Sequence, residues 1–253
     1  AGHSILFEAG YRPLELPHWS IAPSFAETFF RQAHIKGAIF DADGTLFDSM
    51  PVWYNVGSRY LESRGITHDE NLTEKVASMS LMEAAEYFQT EYGIKDSYAE
   101  IIGDINRLIE TAYFHEITLK KGVKEYLEKI HNGGVKMCVA TSTDQYLIKA
   151  ALERCGVLKY FTEVLTCGMV GKGKTKPDIY EKALEIIGTD KKDTVVYEDA
   201  LYALKTAKSA GFYTVGIYDS AEKKQDELKS LADRYILSFD EERDNYEKDS
   251  CGI

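Results

Sequence analysis

Six short strand-like runs punctuate the chain, at Ala38–Phe40, Val135–Ala140, Glu163–Cys167, Thr194–Tyr197, Thr214–Ile217 and Tyr235–Leu237. Their length and their β-branched and aromatic content predict strands. Between the later runs, apolar residues recur at helical spacing over Gln145–Cys155, Asp178–Ile187, Ala200–Ala210 and Gln225–Ala232. Strand and helix in alternation predict an α/β fold, a Rossmann-like parallel sheet covered by helices. The gap between the first and second strands far exceeds the dozen or so residues a crossover needs. Within it, Pro51–Arg64, Leu81–Tyr92 and Tyr98–Phe114 show helical periodicity and no strand pattern. Residues 50–119 are therefore expected to form an α-helical domain inserted into an α/β core made of 36–49 and 120–240.

The two ends read differently. Residues 1–35 hold Pro13, Pro17 and Pro23 with Trp19, Phe25, Phe29 and Phe30, too many aromatics for a purely disordered tail; an ordered N-terminal arm is expected. Residues 241–253 are acidic and are expected to form a frayed tail.

Composition narrows the function. Among 253 residues, 44% are hydrophobic, yet no apolar run approaches the ~20 residues of a membrane span. A net charge of −11 argues against a nucleic-acid binder that relies on phosphate contacts. Cys138, Cys155, Cys167 and Cys251 lack metal-ligand spacing, and Cys138 and Cys167 read as buried thiols. No basic-then-apolar leader is visible near the start, so a cytoplasmic location is expected.

The candidate chemistry begins where the first strand ends, in Phe40-Asp41-Ala42-Asp43-Gly44-Thr45. Residues i and i+2 of an extended chain point the same way, so Asp41 and Asp43 are expected to face one small volume beyond the strand's carboxyl end. Two carboxylates there repel unless a positive group lies between them. A divalent cation beside a carboxylate nucleophile suggests phosphoryl chemistry. A calcium loop would need another ligand before its glycine. Three further features accompany strands: Thr141-Ser142-Thr143 after the second, Lys174 in the loop before Pro177-Asp178, and Glu198-Asp199 ending the fourth.

With these motifs in this order around an insert, the chain resembles the haloacid dehalogenase superfamily of aspartyl-phosphate hydrolases. It is most similar to the subgroup with a helical cap after the first strand, which includes phosphoglycolate phosphatase-like enzymes and β-phosphoglucomutase. The resemblance spans about Lys36 to Leu237. It implies that Asp41 is the nucleophile, that Asp43 is the acid and base and lends its backbone carbonyl to the metal, that Thr141 hydrogen-bonds the phosphoryl group, and that Lys174 pairs with Asp41. Asp41, Asp43, Asp199 and Glu198 would hold Mg²⁺. Substrate contacts are expected from Ser142, Trp53 and Ser80. The expected partner is a small phosphorylated metabolite, with no nucleic acid and no membrane; monomer or dimer stays open.

Rival readings differ in specific residues. A mutase of this family carries a His where Trp53 stands and a phosphate-binding Arg in the cap loop, and Ser78-Met79-Ser80-Leu81-Met82-Glu83 contains none. Gly168–Thr175 matches G-x-x-x-x-G-K-T literally, the signature of a P-loop nucleotide hydrolase, but there the Lys-Thr pair opens the helix, whereas here Pro177 suits the first helical position. A receiver domain has its acids, hydroxyl and Lys in another order. A non-catalytic binding paralogue is the remaining alternative.

Overall fold

A computed structural model describes residues 35–241 of the chain, and all but the last residue of the expected arm and all but the first residue of the expected tail lie outside it. Six strands form: β1 Gly37–Phe40, β2 Lys136–Thr141, β3 Phe161–Thr166, β4 Thr194–Glu198, β5 Tyr213–Ile217 and β6 Arg234–Ile236. They make one sheet in the order β3-β2-β1-β4-β5-β6, with every pairing parallel. This is the expected Rossmann-like arrangement. The chain leaves β1 to build one side of the sheet, then returns across it to β4 to build the other. Open α/β sheets hold their ligands at such a reversal, outside the carboxyl ends of the strands.

Eleven helices accompany the sheet among the described residues. Five lie between β1 and Leu119: α1 Met50–Trp53, α2 Val56–Ser63, α3 Leu72–Val76, α4 Leu81–Tyr92 and α5 Tyr98–His115. The remainder flank the strands: α6 Val123–Asn132, α7 Gln145–Arg154, α8 Cys167–Val170, α9 Asp178–Ile187, α10 Leu201–Ser209 and α11 Gln225–Leu231. Alternate residues of β1 serve opposite layers. Ala38 and Phe40 pack with Tyr126 and Leu127 of α6 and Leu147 of α7. Ile39 packs with Ile179, Tyr180 and Ala183 of α9. β1 lies between these layers at the centre of the sheet, and all four of its residues are buried.

Within 50–119 the described elements are all helical, as the periodicity predicts. Two of them begin with a capping box: Ser80 accepts from Glu83 N while Ser80 N donates to Glu83 Oε2, and Ser97 and Glu100 repeat the arrangement. Each box satisfies two amide donors that an isolated helix start leaves orphaned. One prediction needs correction. Pro51–Arg64 is not a single helix but breaks at Tyr54-Asn55, where Asn55 leaves helical geometry and takes the N-cap position of α2 without a side-chain capping bond. Asn competes with the helix for its own backbone bonds, which favours caps over interiors. α6 was not foreseen, although Val123, Tyr126, Leu127 and Ile130 have clear helical spacing and are its buried residues. No described helix is long and apolar enough to cross a membrane.

Candidate active site

The carboxyl edge of the sheet collects the polar groups. Phe40 is in register with Tyr197, and Asp41 N donates to Tyr197 O at 3.0 Å, so Asp41 stands beside Glu198. The Lys174 ammonium, 2% exposed, donates to Asp41 Oδ1 and, at 2.7 Å, to Glu198 Oε1. Tyr180 OH donates to the same Glu198 oxygen at 2.6 Å. Thr45 Oγ1 donates to Asp199 Oδ1 at 2.8 Å. Gly44 makes this close approach possible: its φ is +81°, and a Cβ there would collide with the Asp199 carboxylate.

Asp41, Glu198 and Asp199 each offer an oxygen within 4.8 Å of the others. All three are buried. One ammonium among three carboxylates leaves the cluster short of positive charge. Burial pushes the Asp199 carboxyl well above its usual range, with the Asp41 and Glu198 charges adding to the push. Burial likewise raises Glu198, to about 7, against the pull of Lys174. Burial alone would lower Lys174, but Asp41 and Glu198 hold it protonated. Glu198 Oε2 is buried with no hydrogen-bond partner, a costly state for a carboxylate oxygen. An orphaned oxygen in a hard-oxygen cluster suits a divalent cation.

Asp43 lies near enough to Asp41 to feel its charge. Regular strand ends at Phe40 and residue 42 bends, so the two side chains find different partners. Asp43 Oδ1 accepts from Ser49 Oγ at 2.6 Å and from Tyr113 OH, and Oδ2 accepts from Thr143 Oγ1 at 2.7 Å. Trp53 Nε1 donates in turn to Tyr113 OH at 2.7 Å. Its carboxylate is not among the three clustered acids. Burial raises the Asp43 pKa, the nearby Asp41 charge adds to it, and the three hydroxyls oppose both.

Similarity to known proteins agrees with this geometry. Residues 38–217 match the family model described as haloacid dehalogenase-like hydrolase. The chain belongs to that family. Within it, the chain is an enzyme of the phosphatase type. It is 29% identical over 177 residues, 70% of this chain and 82% of the relative, to a phosphorylated carbohydrates phosphatase of Thermotoga maritima. It is 25% identical over 191 residues, 72% of this chain and 83% of the relative, to β-phosphoglucomutase of Bacillus subtilis. The fold matches that of CbbY from Rhodobacter sphaeroides in complex with phosphate at a TM-score of 0.71 and 23% identity, covering 81% and 95% of the two chains.

In this haloacid dehalogenase-like chain the remaining expected residues fall as follows. Thr141 ends β2, buried, its Oγ1 accepting from Thr143 N at 3.1 Å. Ser142 Oγ lies 3.5 Å from Cys167 Sγ. Ser80 is committed to capping α4, and its partner Glu83 brings that helix start against Gly173, where a Cβ would fall 2.5 Å from Glu83 Oε2. The P-loop alternative fails on local structure. Cys167–Val170 coil into one turn, Pro177 caps α9 from outside, and Lys174 points to Asp41 from the intervening loop. Glu198 and Asp199 do not cap α10, whose cap is Ala200.

Ser49, Thr143, Tyr113 and Tyr180 were missed as participants. Thr143 stood in a run already singled out, and its hydroxyl was the available signal. Tyr113 and Tyr180 carried none, because a tyrosine on the apolar stripe of a helix reads as core.

Proposed function

We propose that the chain is a Mg²⁺-dependent phosphatase that hydrolyses a small phosphorylated organic metabolite, of the sugar-phosphate class, through an aspartyl phosphate on Asp41. The observation that carries the reading is the buried Lys174 ammonium bridging Asp41 and Glu198 beside Asp199. Phosphoryl transfer asks chiefly for positioning and charge neutralisation, and the relative named for phosphorylated carbohydrates supports the substrate class.

In this reading Asp41 attacks phosphorus and Asp43 protonates the departing oxygen, then takes a proton from the water that releases phosphate. Burial favours the protonated Asp43 that the first half-reaction needs. Lys174 and Thr141 hold the phosphoryl oxygens, and Ser142, with the Trp53 ring and the α4 start at Ser80, would supply contacts to the rest of the substrate. Asp41, Glu198 and Asp199, with the Asp43 carbonyl, would hold Mg²⁺, which when bound supplies positive charge beside the phosphoryl group. Residues 50–119 act as a cap that excludes water. The contacts that join this insert to the core include Lys223 with Glu74 at 2.6 Å, Asn106 Nδ2 donating to Asp144 at 2.5 Å, and Tyr113 OH donating to Asp43.

The mutase is the second reading, favoured by the Bacillus relative. Against it, Trp53 offers only a donor, already given to Tyr113, and the one charge in residues 78–83 is the negative Glu83. Phosphate release across a panel of sugar phosphates, with Asp41→Asn as control, tests the proposal. The variant should be folded and inactive; near-normal turnover would reject Asp41 as nucleophile. A glucose 1-phosphate isomer converted to the 6-phosphate faster than phosphate appears would decide for the mutase.

A further inference from the structure

Tyr180 is fully buried on α9, against Ile39, Ala183 and Phe212. A phenylalanine would fill the same space, so packing does not require the hydroxyl. That hydroxyl donates to Glu198 Oε1 at 2.6 Å, while its other neighbour, Ala203 O, is 3.5 Å away. Lys174 occupies the same Oε1 at 2.7 Å. Two donors thus converge on one oxygen of a buried carboxylate and leave Oε2 as the oxygen without a partner. A carboxylate held by one oxygen in this manner cannot swing its free oxygen away without breaking two charge-assisted bonds.

We propose that Tyr180 is a positioning residue for the cation site: by tying Oε1 of Glu198 it fixes Oε2 as the ligand oxygen offered alongside Asp41 and Asp199. The inference rests on the metal reading above. Outer partners that orient a ligand typically change metal affinity by 10–100-fold when removed.

The test is Mg²⁺ binding without substrate, measured by calorimetry on the full chain for wild type, Tyr180→Phe, Glu198→Gln, Asp199→Asn and the Tyr180→Phe/Glu198→Gln double variant. Tyr180→Phe is expected to weaken Mg²⁺ binding about 10- to 100-fold, and the same exchange made on Glu198→Gln is expected to change nothing further. A phenol that only supports the fold would lower the melting temperature in chelator and leave Mg²⁺ affinity unchanged, which overturns the proposal. An equal loss in the Glu198→Gln background also overturns it, since the effect would not run through Glu198. Wild type that binds no Mg²⁺, or binds it as Asp199→Asn does, sinks the metal reading and this role together; Asp199→Asn losing affinity while Tyr180→Phe keeps it sinks this role alone. Where Tyr180→Phe folds poorly, Tyr180→Met, a flexible apolar side chain that also lacks the donor, takes its place with the same expected and overturning results.

Discussion

Asp43 sits among three hydroxyl donors, and one of them, Tyr113, belongs to the inserted helices rather than to the sheet. Trp53 orients that phenol from another inserted helix. The acid/base candidate is thus held by the insert. A general acid must sit within hydrogen-bond reach of the oxygen it protonates, so loss of this anchor in Tyr113→Phe is expected to lower kcat on an alkyl phosphate about tenfold or more. On an aryl phosphate, whose leaving group needs little proton donation, the loss should be much smaller. Equal losses on the two substrates would assign Tyr113 to folding instead. Burial pushes the Cys138 thiol up to about 12 and raises Cys167. Both thiols should therefore resist a thiol reagent at pH 8 in the native protein and react once it is denatured, as a timed titration would record.

At the scale of elements, the start of α4 presses its capping box against the loop that carries Lys174. Gly173 has no side chain to obstruct this contact, and Glu83 is tied to Ser80 N at 2.7 Å, so it cannot simply move aside. Gly173→Ala is expected to part the insert from the Lys174 loop, cutting kcat/KM several-fold while far-UV circular dichroism stays native. Glu83→Ala in the same chain should recover part of the loss, because it removes the colliding carboxylate. Gly44→Ala should be more damaging. It strains a backbone at φ +81° and drives into Asp199, so both turnover and Mg²⁺ binding should fall.

Across the whole molecule, three buried acids gather at the carboxyl ends of β1 and β4, and the Lys174 ammonium pairs with only two of them, Asp41 and Glu198. Repulsion among them opposes folding, and a bound cation would relieve it. A ligand at 100 times its Kd stabilises the native state by about 2.7 kcal/mol, and domains of this size gain roughly 2–4 °C per kcal/mol. Saturating Mg²⁺ should therefore raise the melting temperature by about 5–10 °C over chelator. Asp199→Asn, which removes one of the repelling charges, should show little of that response.

The order of elements was legible in the chain because local pattern dictates it: all six strands, the helix Asp178–Ile187 and the helical insert follow from periodicity and caps. Asp41, Glu198 and Asp199 were legible as candidates for the related reason that each stands at a strand end, whereas Lys174 was told from Lys172 and Lys176 only by its distance from Pro177-Asp178. The directions of side chains were not. The bend at residue 42 that turns Asp43 to Tyr113, and the helix packing that sets Tyr180 on Glu198, are contacts between residues 70 and 18 positions apart. Periodicity reports which face of an element is buried, whereas a buried phenol's partner is chosen by whatever element packs over it, and only the assembled sheet and insert decide that.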